Sequence, residues 1–412
     1  MKNKISKIKY EYVLLLIALI WVLFFSFAIQ LNPGFSLVGD DGSYLTAAKR
    51  LYLEMKIDEG RPLLIAAING FPLLFGFSDS IVIKWGLLVN FCCWFSTILL
   101  LFKIISGNVS RQKAFLLSLL FIFCIGNLAI AFNLLSESVF IFMLVLAVYF
   151  LHRYFKSNKH HFITIAIAVL LLAMLVRPMS IGVVFILIGF FYSKSKAILW
   201  NKYASLIYIS LALLFFQMLS LKRNYGDFTI SYIDSITYYN YLGGKADCLK
   251  KNIPFIPGEN KRGKYFNQFS SHEQKRIARE DLKEQLQHNT INLSKAYLYC
   301  LYSNSSKGSY IVSECKNDKQ TNYFNAFHFL FKAISKVQNI LFTVGGVLVS
   351  FYTLFRRKRE TVFNRIVALM LLYVFFISGV SCFQCDRFHI VFYPLVIILF
   401  SKFFKSEKRL EI

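Results

Sequence analysis

The chain has 412 residues, 56% of them hydrophobic and only 17% charged, and its 47 Lys+Arg against 22 Asp+Glu give a formal net charge of +25. A soluble chain carries nearer about a quarter charged residues. The composition therefore argues against a water-soluble globule, and it excludes a disordered chain, a collagen-like repeat and a disulfide-dense secreted module. Long apolar runs recur along most of the sequence. They predict an all-α polytopic membrane protein.

A span needs roughly 20 apolar residues to cross about 30 Å of hydrocarbon. In chain order the predicted spans are 11–31, 80–102, 114–132, 138–152, 162–176, 179–192, 203–220, 334–355, 362–381 and 389–404, about ten in all. Residues 162–192 also fit one long broken helix. The stretch 62–77 is interrupted by Gly70 and Pro72 and reads as an interfacial or re-entrant helix. The first run follows a basic stretch but lacks a small-x-small cleavage site, so it reads as a retained anchor.

Lys and Arg in short loops set orientation. With the N-terminus in the cytoplasm, the inside segments 1–12, 103–113, 152–161, 193–202, 355–365 and 401–412 hold 22 Lys/Arg against four acidic residues. The outside loop 32–79 holds four basic and six acidic residues. Arg356, Arg357, Lys358 and Arg359 are the clearest inside signal. Both termini are then cytoplasmic, and the positive charge is a topology device with no nucleic acid implied. His160-His161 falls in a basic inner loop and reads as a solvated face.

Three regions follow: an N-terminal transmembrane module over 1–220 with the outer loop 32–79, an extracytoplasmic subdomain over 221–333, and C-terminal transmembrane helices over 334–412. Within the subdomain, Ser270 and Glu273 fit a capping box. They predict a helix over 271–288, with Ile277, Leu282 and Leu286 at helical spacing, and a second over 291–302. Residues 221–265, with Gly226, Gly243, Gly244, Pro254 and Pro257, read as irregular loop.

The candidate chemistry lies in the outer loops. Asp40 and Asp41 are adjacent carboxylates just after a span, before a helix expected from near Ser43. Tyr44, Ala47, Ala48 and Leu51 form an apolar face suited to the membrane surface. Taken alone, the acidic pair reads as a helix cap. Its company points elsewhere: Glu137 at a span end, Arg177-Pro178 between apolar half-spans, and Asp386-Arg387-Phe388-His389 opening the last span. Ionisable groups at membrane depth are functional candidates; for Arg177 snorkelling to the interface is the competing reading. Carboxylates beside guanidiniums suit transfer of a sugar from a lipid phosphate. The acceptor hydroxyl needs a base, and the departing phosphate needs cations.

These residues resemble the GT-C superfamily of polytopic glycosyltransferases, in the protein O-mannosyltransferase and aminoarabinose-transferase branch. Gly39-Asp40-Asp41-Gly42-Ser43-Tyr44 with Ala47 and Leu51 is similar to the family's acidic pair, Tyr and A-x-x-L. Arg61-Pro62-Leu63-Leu64 resembles its R-P-P segment, though Leu63 replaces the second Pro. Ser136-Glu137-Ser138, Val176-Arg177-Pro178, Arg223-Asn224-Tyr225-Gly226 and Asp386-Arg387-Phe388 follow in the family order. The resemblance implies a GT-C-like fold and an inverting glycosyltransferase fed by a polyprenyl-phosphate sugar. Asp40 would be the general base, and Asp41 would orient Asp40, the acceptor or a metal. Tyr44, Arg61, Glu137, Arg177, Arg387 and His389 would bind substrate. Phe- and Lys-rich usage suggests an AT-rich bacterium; in one, the acceptor would be a cell-envelope glycan, lipid or protein, and the enzyme would sit in the inner membrane with its site extracytoplasmic. A divalent cation is possible, with Asp40 and Asp41 as its ligands.

A flippase or transporter of lipid-linked sugars is the alternative, but it should show an internal repeat, and none is evident. A polymerase-like enzyme would use the large outer loop, and a scaffold would leave Arg177 unexplained. Cys248, Cys300, Cys315, Cys382 and Cys385 fall outside, where disulfides are permitted; Cys382-x-x-Cys385 reads as structural, a redox pair or a zinc half-site.

Overall fold

A computed structural model describes residues 9–31, 40–256, 261–356 and 360–404. The first eight residues, Gly39, Pro257 and the basic Arg357, Lys358 and Arg359 lie outside the described residues. The described residues form helices and no strand. In chain order the helices are α1 Tyr10–Ala28, α2 Asp41–Leu53, α3 Leu63–Gly70, α4 Asp79–Ser106, α5 Arg111–Ile122, α6 Ile125–Ala131, α7 Glu137–Ser157, α8 His161–Met174, α9 Ile181–Phe191, α10 Ser195–Leu199 and α11 Ala204–Tyr225. Then follow α12 Ile233–Thr237, α13 Gly244–Lys250, α14 Lys261–Phe266, α15 Ser271–His288, α16 Thr290–Ser306, α17 Tyr310–Glu314, α18 Asn322–Phe355, α19 Val362–Ile377 and α20 Tyr393–Phe400.

Eight segments among the described residues are long and apolar enough to cross a membrane, against the ten expected. The other two predicted spans differ for local reasons. Residues 114–132 form α5 and α6, which meet at 61° around Cys124. The expected span 162–176 corresponds to α8, only 14 residues long and ended at Met174, and the chain breaks at Arg177-Pro178 before α9. Proline lacks an N–H and restricts the residue before it, so a helix stops there. The interrupted stretch 62–77 is indeed a short helix, α3, followed by a 3-10 turn over Phe71–Phe75.

Helix ends follow the sequence. Ser110 accepts from the Lys113 amide to cap α5, and Thr361 from the Asn364 amide to cap α19. Gly226 closes α11 at φ +103°, a left-handed conformation that glycine adopts without strain. Buried α7 packs against α4 and α8 at the centre of the bundle. Polar side chains link elements inside it: Asn90 Nδ2 donates to the Asn133 carbonyl at 2.6 Å, and the Tyr393 hydroxyl donates to Asn339 Oδ1 at 2.8 Å. The outer faces of α1 and α18 leave Leu16, Leu23, Phe27, Phe329, Leu341 and Leu348 exposed, as lipid-facing helices require.

The capping box is present in full at Ser270 and Glu273, and α15 and α16 match the two expected helices. Their packing differs from expectation: Leu282 and Leu286 are exposed, while Lys275, Ala278 and Gln285 are buried. The described residues of 221–265 are not an irregular loop: they hold the end of α11, α12, a π-helical turn over Tyr238–Gly243, α13 and the start of α14. The Gln285 amide donates to the Gly243 carbonyl at 3.1 Å and the Asn289 amide to Ala246 at 3.4 Å, so α15 and α16 hold these short helices in place.

Candidate active site

Asp40 stands at the N-cap position of α2, yet its side chain caps nothing. It turns to two guanidiniums instead, with Arg387 Nη1 at 2.7 Å and Arg61 Nη2 at 3.2 Å. The Ser43 hydroxyl donates to the Asp40 carbonyl at 2.6 Å, a contact within the first turn that caps no amide. The helix begins at Asp41, two residues before the expected start. Asp41 itself is almost fully buried at that first turn.

Arg387 continues inward. Its Nε donates to Glu137 Oε1, and the same oxygen receives Arg177 Nη1 at 2.8 Å. Glu137 is the first residue of α7 and Arg177 sits at the break after α8, so neighbouring helices deliver them to one point. The cluster is graded: the Asp40 side chain is 42% exposed, Arg177 13% and Glu137 0%. A carboxylate as enclosed as Glu137 requires paired charges. Phe388 and Phe140 flank the Arg177 guanidinium, with ring centroids at 5.5 and 6.0 Å.

Arg61 is held from its own side. Its Nε donates to Ser43 Oγ at 2.9 Å, its Nη1 reaches the Tyr44 hydroxyl at 3.4 Å, and its guanidinium lies 4.3 Å from the Tyr44 ring centroid. The hydroxyls of Tyr44 and Ser136 share a hydrogen bond of 2.8 Å, which ties α2 to the start of α7. The apolar face of Tyr44, Ala47 and Ala48 therefore does not rest on the membrane surface. It is buried, with α2 packed on α3, and Gly70 lets the two helices approach: a Cβ there would meet Tyr52 at 2.6 Å and Ala48 at 3.0 Å.

Burial would raise the Asp40 carboxyl, but Arg387 and Arg61 outweigh it and hold the group below its ordinary 3.8. Asp40 is thus ionised. Each guanidinium carries five N–H donors, far more than the oxygens of Asp40 and Glu137 occupy. The remaining donors can receive an anion.

The structure thus brings Asp40, Tyr44, Arg61, Glu137, Arg177 and Arg387 into one cluster. His389 is not part of it. Its ring is fully enclosed, Nδ1 bonded to Thr343 Oγ1 at 2.9 Å and Nε2 to Ser378 Oγ at 3.1 Å, because it lies two residues past Arg387 and faces α18 and α19. Asp386 also turns away and accepts from the Tyr310 amide at 3.2 Å. The Asp40 and Asp41 pair does not make a good cation site: Asp40 is engaged by two guanidiniums, and no group of three or more His, Cys, Asp or Glu suited to a metal ion occurs among the described residues.

Phe140 joins the site without having been anticipated, and Ser43, Ser136 and Phe388, quoted in the motifs but given no role, join it as well. Ser136 and Phe388 adjoin flagged charges, a signal the sequence held. Tyr241 also reaches the mouth: its phenol lies against Gln384, and burial together with the Asp40 charge pushes it above 10.0. Nothing in a stretch read as irregular pointed to it. Of the cysteines expected outside, Cys382 pairs with Cys300 in a disulfide and not with Cys385, which is free with Cys248 and Cys315.

The chain matches no family model and no curated protein. Among solved structures it is similar to the archaeal oligosaccharyltransferase AglB from Archaeoglobus fulgidus, solved in complex with an inhibitory peptide and a dolichol-phosphate. The identity is 11%, the TM-score 0.45, and the match covers 95% of this chain and 50% of that one. The present chain thus spans about half the length of that protein.

Proposed function

We propose that the protein is a membrane glycosyltransferase that moves a sugar from a polyprenyl-phosphate donor to an extracytoplasmic acceptor of the cell envelope, with inversion at the anomeric carbon. The observation that carries this reading is the Asp40–Arg387–Glu137–Arg177 chain of ion pairs, joined to Arg61. It sets an ionised, partly exposed carboxylate beside guanidiniums with unused donors, at the ends of membrane-spanning helices. The in-order resemblance of these residues to GT-C motifs adds to it.

The acceptor hydroxyl oxygen would attack the anomeric carbon as the bond from that carbon to the phosphate oxygen breaks. The bonding pair leaves with the phosphate, and the hydroxyl proton passes to Asp40. A carboxylate held at low pKa is a weak base, so it takes the proton late, once the new bond has acidified the hydroxyl. Arg61, Arg177 and Arg387 would stabilise the departing phosphate, a bidentate task suited to guanidinium. A phosphate reaching Arg61 and Arg387 also competes with Asp40 for them and frees the carboxylate to act.

On this reading the chain lies in a bacterial inner membrane with both termini cytoplasmic, residues 221–333 cover the site from outside, and Asp41 fixes the first turn of α2 that presents Asp40. The test is transfer of radiolabel from a panel of polyprenyl-phosphate sugars in membranes carrying the wild type or Asp40→Asn. The wild type should label an acceptor from one donor. Asp40→Asn should lose about 100-fold or more in rate while still binding that donor. Full activity in Asp40→Asn overturns the base assignment.

A further inference from the structure

A second cluster of cations lies beside this site and takes no part in the ion pairs above. The π-helical turn over Tyr238–Gly243 runs directly into α13, so Tyr241 and Lys245, four apart, share a face. Tyr241 lies against Gln384, whose carbonyl accepts from the Arg387 amide at 3.1 Å, so the turn that leads into Lys245 adjoins the loop that presents Arg387. Its ammonium sits 4.2 Å from the Tyr299 ring centroid and 5.9 Å from that of Phe255. Both rings pack on Phe383, at 6.1 and 5.9 Å, and the Lys307 ammonium covers Phe383 at 4.3 Å.

Neither lysine has a carboxylate within ion-pair distance among the described residues. Asp247, two residues past Lys245, is taken by Lys251 at 2.8 Å. Phe383 has φ +62° and Cys385 φ +53°. A bulky residue in the left-handed region is a genuine outlier, and such strain gathers where a side chain must be presented in one direction. The segment is pinned from behind: Asn304 donates to the Ser378 and Ser381 carbonyls at 3.0 and 2.7 Å and accepts from the Gln384 amide at 3.2 Å, and the Cys300–Cys382 disulfide ties it to α16. Three residues after Gln384 comes Arg387.

We infer that Lys245 and Lys307, with Phe383 and Tyr299 between them, form a binding site for an anionic saccharide, the carboxylate- or phosphate-bearing acceptor of the reaction. The assignment of the ligand as acceptor rests on the proposed glycosyl transfer. The rings hold the two ammonium groups in place by cation–π contact, and the ammonium groups receive the acidic substituents of the saccharide. The position next to Tyr241 directs a neighbouring sugar hydroxyl toward Asp40.

The experiment measures binding by the full chain in phosphatidylcholine nanodiscs without any lipid-linked donor. Three fluorescent probes are used: an oligogalacturonate, a phosphorylated mannose oligosaccharide and a neutral cello-oligosaccharide. At least one anionic probe should bind roughly tenfold or more tightly than the neutral one, weaken with salt, and lose about tenfold or more in the double variant Lys245→Gln, Lys307→Gln. Lys245→Arg with Lys307→Arg should restore it. Equal binding of all three probes, no saccharide binding, or unchanged binding by the double Gln variant overturns the site. Saccharide binding that depends on these lysines, together with a wild type inactive toward every donor, keeps the site and removes the transfer reading.

Discussion

Asp40 and Arg387 stand 347 residues apart in sequence and 2.7 Å apart in space. Their contact joins the first long loop of the chain to its last membrane segment, and it carries the cluster inward to Glu137. The cluster is therefore structural as well as chemical. Arg387→Ala leaves the fully buried Glu137 with Arg177 alone, and the loss of one partner from a buried pair costs about 3–5 kcal/mol. A marked fall in the unfolding midpoint of the solubilised protein is expected. Asp40→Asn, at the exposed end, should change that midpoint far less.

The pH dependence follows from the direction of the Asp40 shift. Its folded pKa lies below 3.8 because Arg387 and Arg61 favour the charged form over the opposing effect of burial. A group depressed in this way stabilises the fold fully above its unfolded value, and the contribution disappears as pH falls through the lower folded value. Transfer activity should therefore show no acid limb from Asp40 down to about pH 4. Arg61→Ala should move that limb upward, because it removes one of the two cations. A rate–pH profile of both proteins checks this; an unmoved limb in Arg61→Ala dissociates Asp40 from the titration.

Tyr44 holds Arg61 by its ring under the guanidinium and by its hydroxyl, which accepts from Arg61 Nη1 at 3.4 Å and also bonds to Ser136. Tyr44→Phe removes both hydroxyl contacts and keeps the ring. It should cost about 1–2 kcal/mol, the worth of two hydrogen bonds, and lower donor affinity only slightly. Tyr44→Ala removes the ring as well, so donor affinity should fall further. Thermal unfolding and donor binding, measured side by side, separate the two roles.

The cysteines give a prediction that needs no assay of function. Non-reducing peptide mapping should recover Cys300 linked to Cys382 and find Cys385 free. Cys382→Ser should lower stability by about 2–4 kcal/mol, since the bridge closes a long loop, whereas Cys385→Ser leaves the bridge in place. A Cys382–Cys385 pair would contradict the arrangement.

The parts of this molecule legible in sequence are those in which local chemistry decides. Apolar runs marked the helices, Ser270 and Glu273 marked the start of α15, and Asp40, Glu137, Arg177 and Arg387 stood out because charge at a span end is costly. What was missed depends on partners distant in sequence. Residues 221–265 looked irregular because α12 and α13 are too short to persist alone, and they take their shape from Gln285 and Asn289. His389 sat beside Arg387 in sequence, yet Thr343 and Ser378, 46 and 11 residues away, claim both its nitrogens. The pairing of Cys300 with Cys382 follows from the approach of α16 to the segment after α19, which spacing does not encode.

Gly126 tests how tightly the cluster depends on the packing behind it. It lies in α6 with no room for a side chain: a Cβ would meet Asp386 Oδ2 at 2.0 Å and Ile390 Cγ2 at 2.9 Å. Asp386 is buried, fixed by the Tyr310 amide, and adjacent to Arg387, so it cannot yield without moving the loop that presents Arg387. Gly126→Ala should therefore destabilise by about 1–3 kcal/mol, the usual cost of overpacking, and weaken transfer together with stability. Gly189 in α9 has nothing within 4 Å of its Cβ position. Alanine there should be neutral or stabilise slightly, by up to about 1 kcal/mol, because it stiffens the unfolded chain and suits a helix. Unfolding midpoints of the two alanine variants should move in opposite directions or differ by several degrees, and equal midpoints would mean that α6 does not press on Asp386.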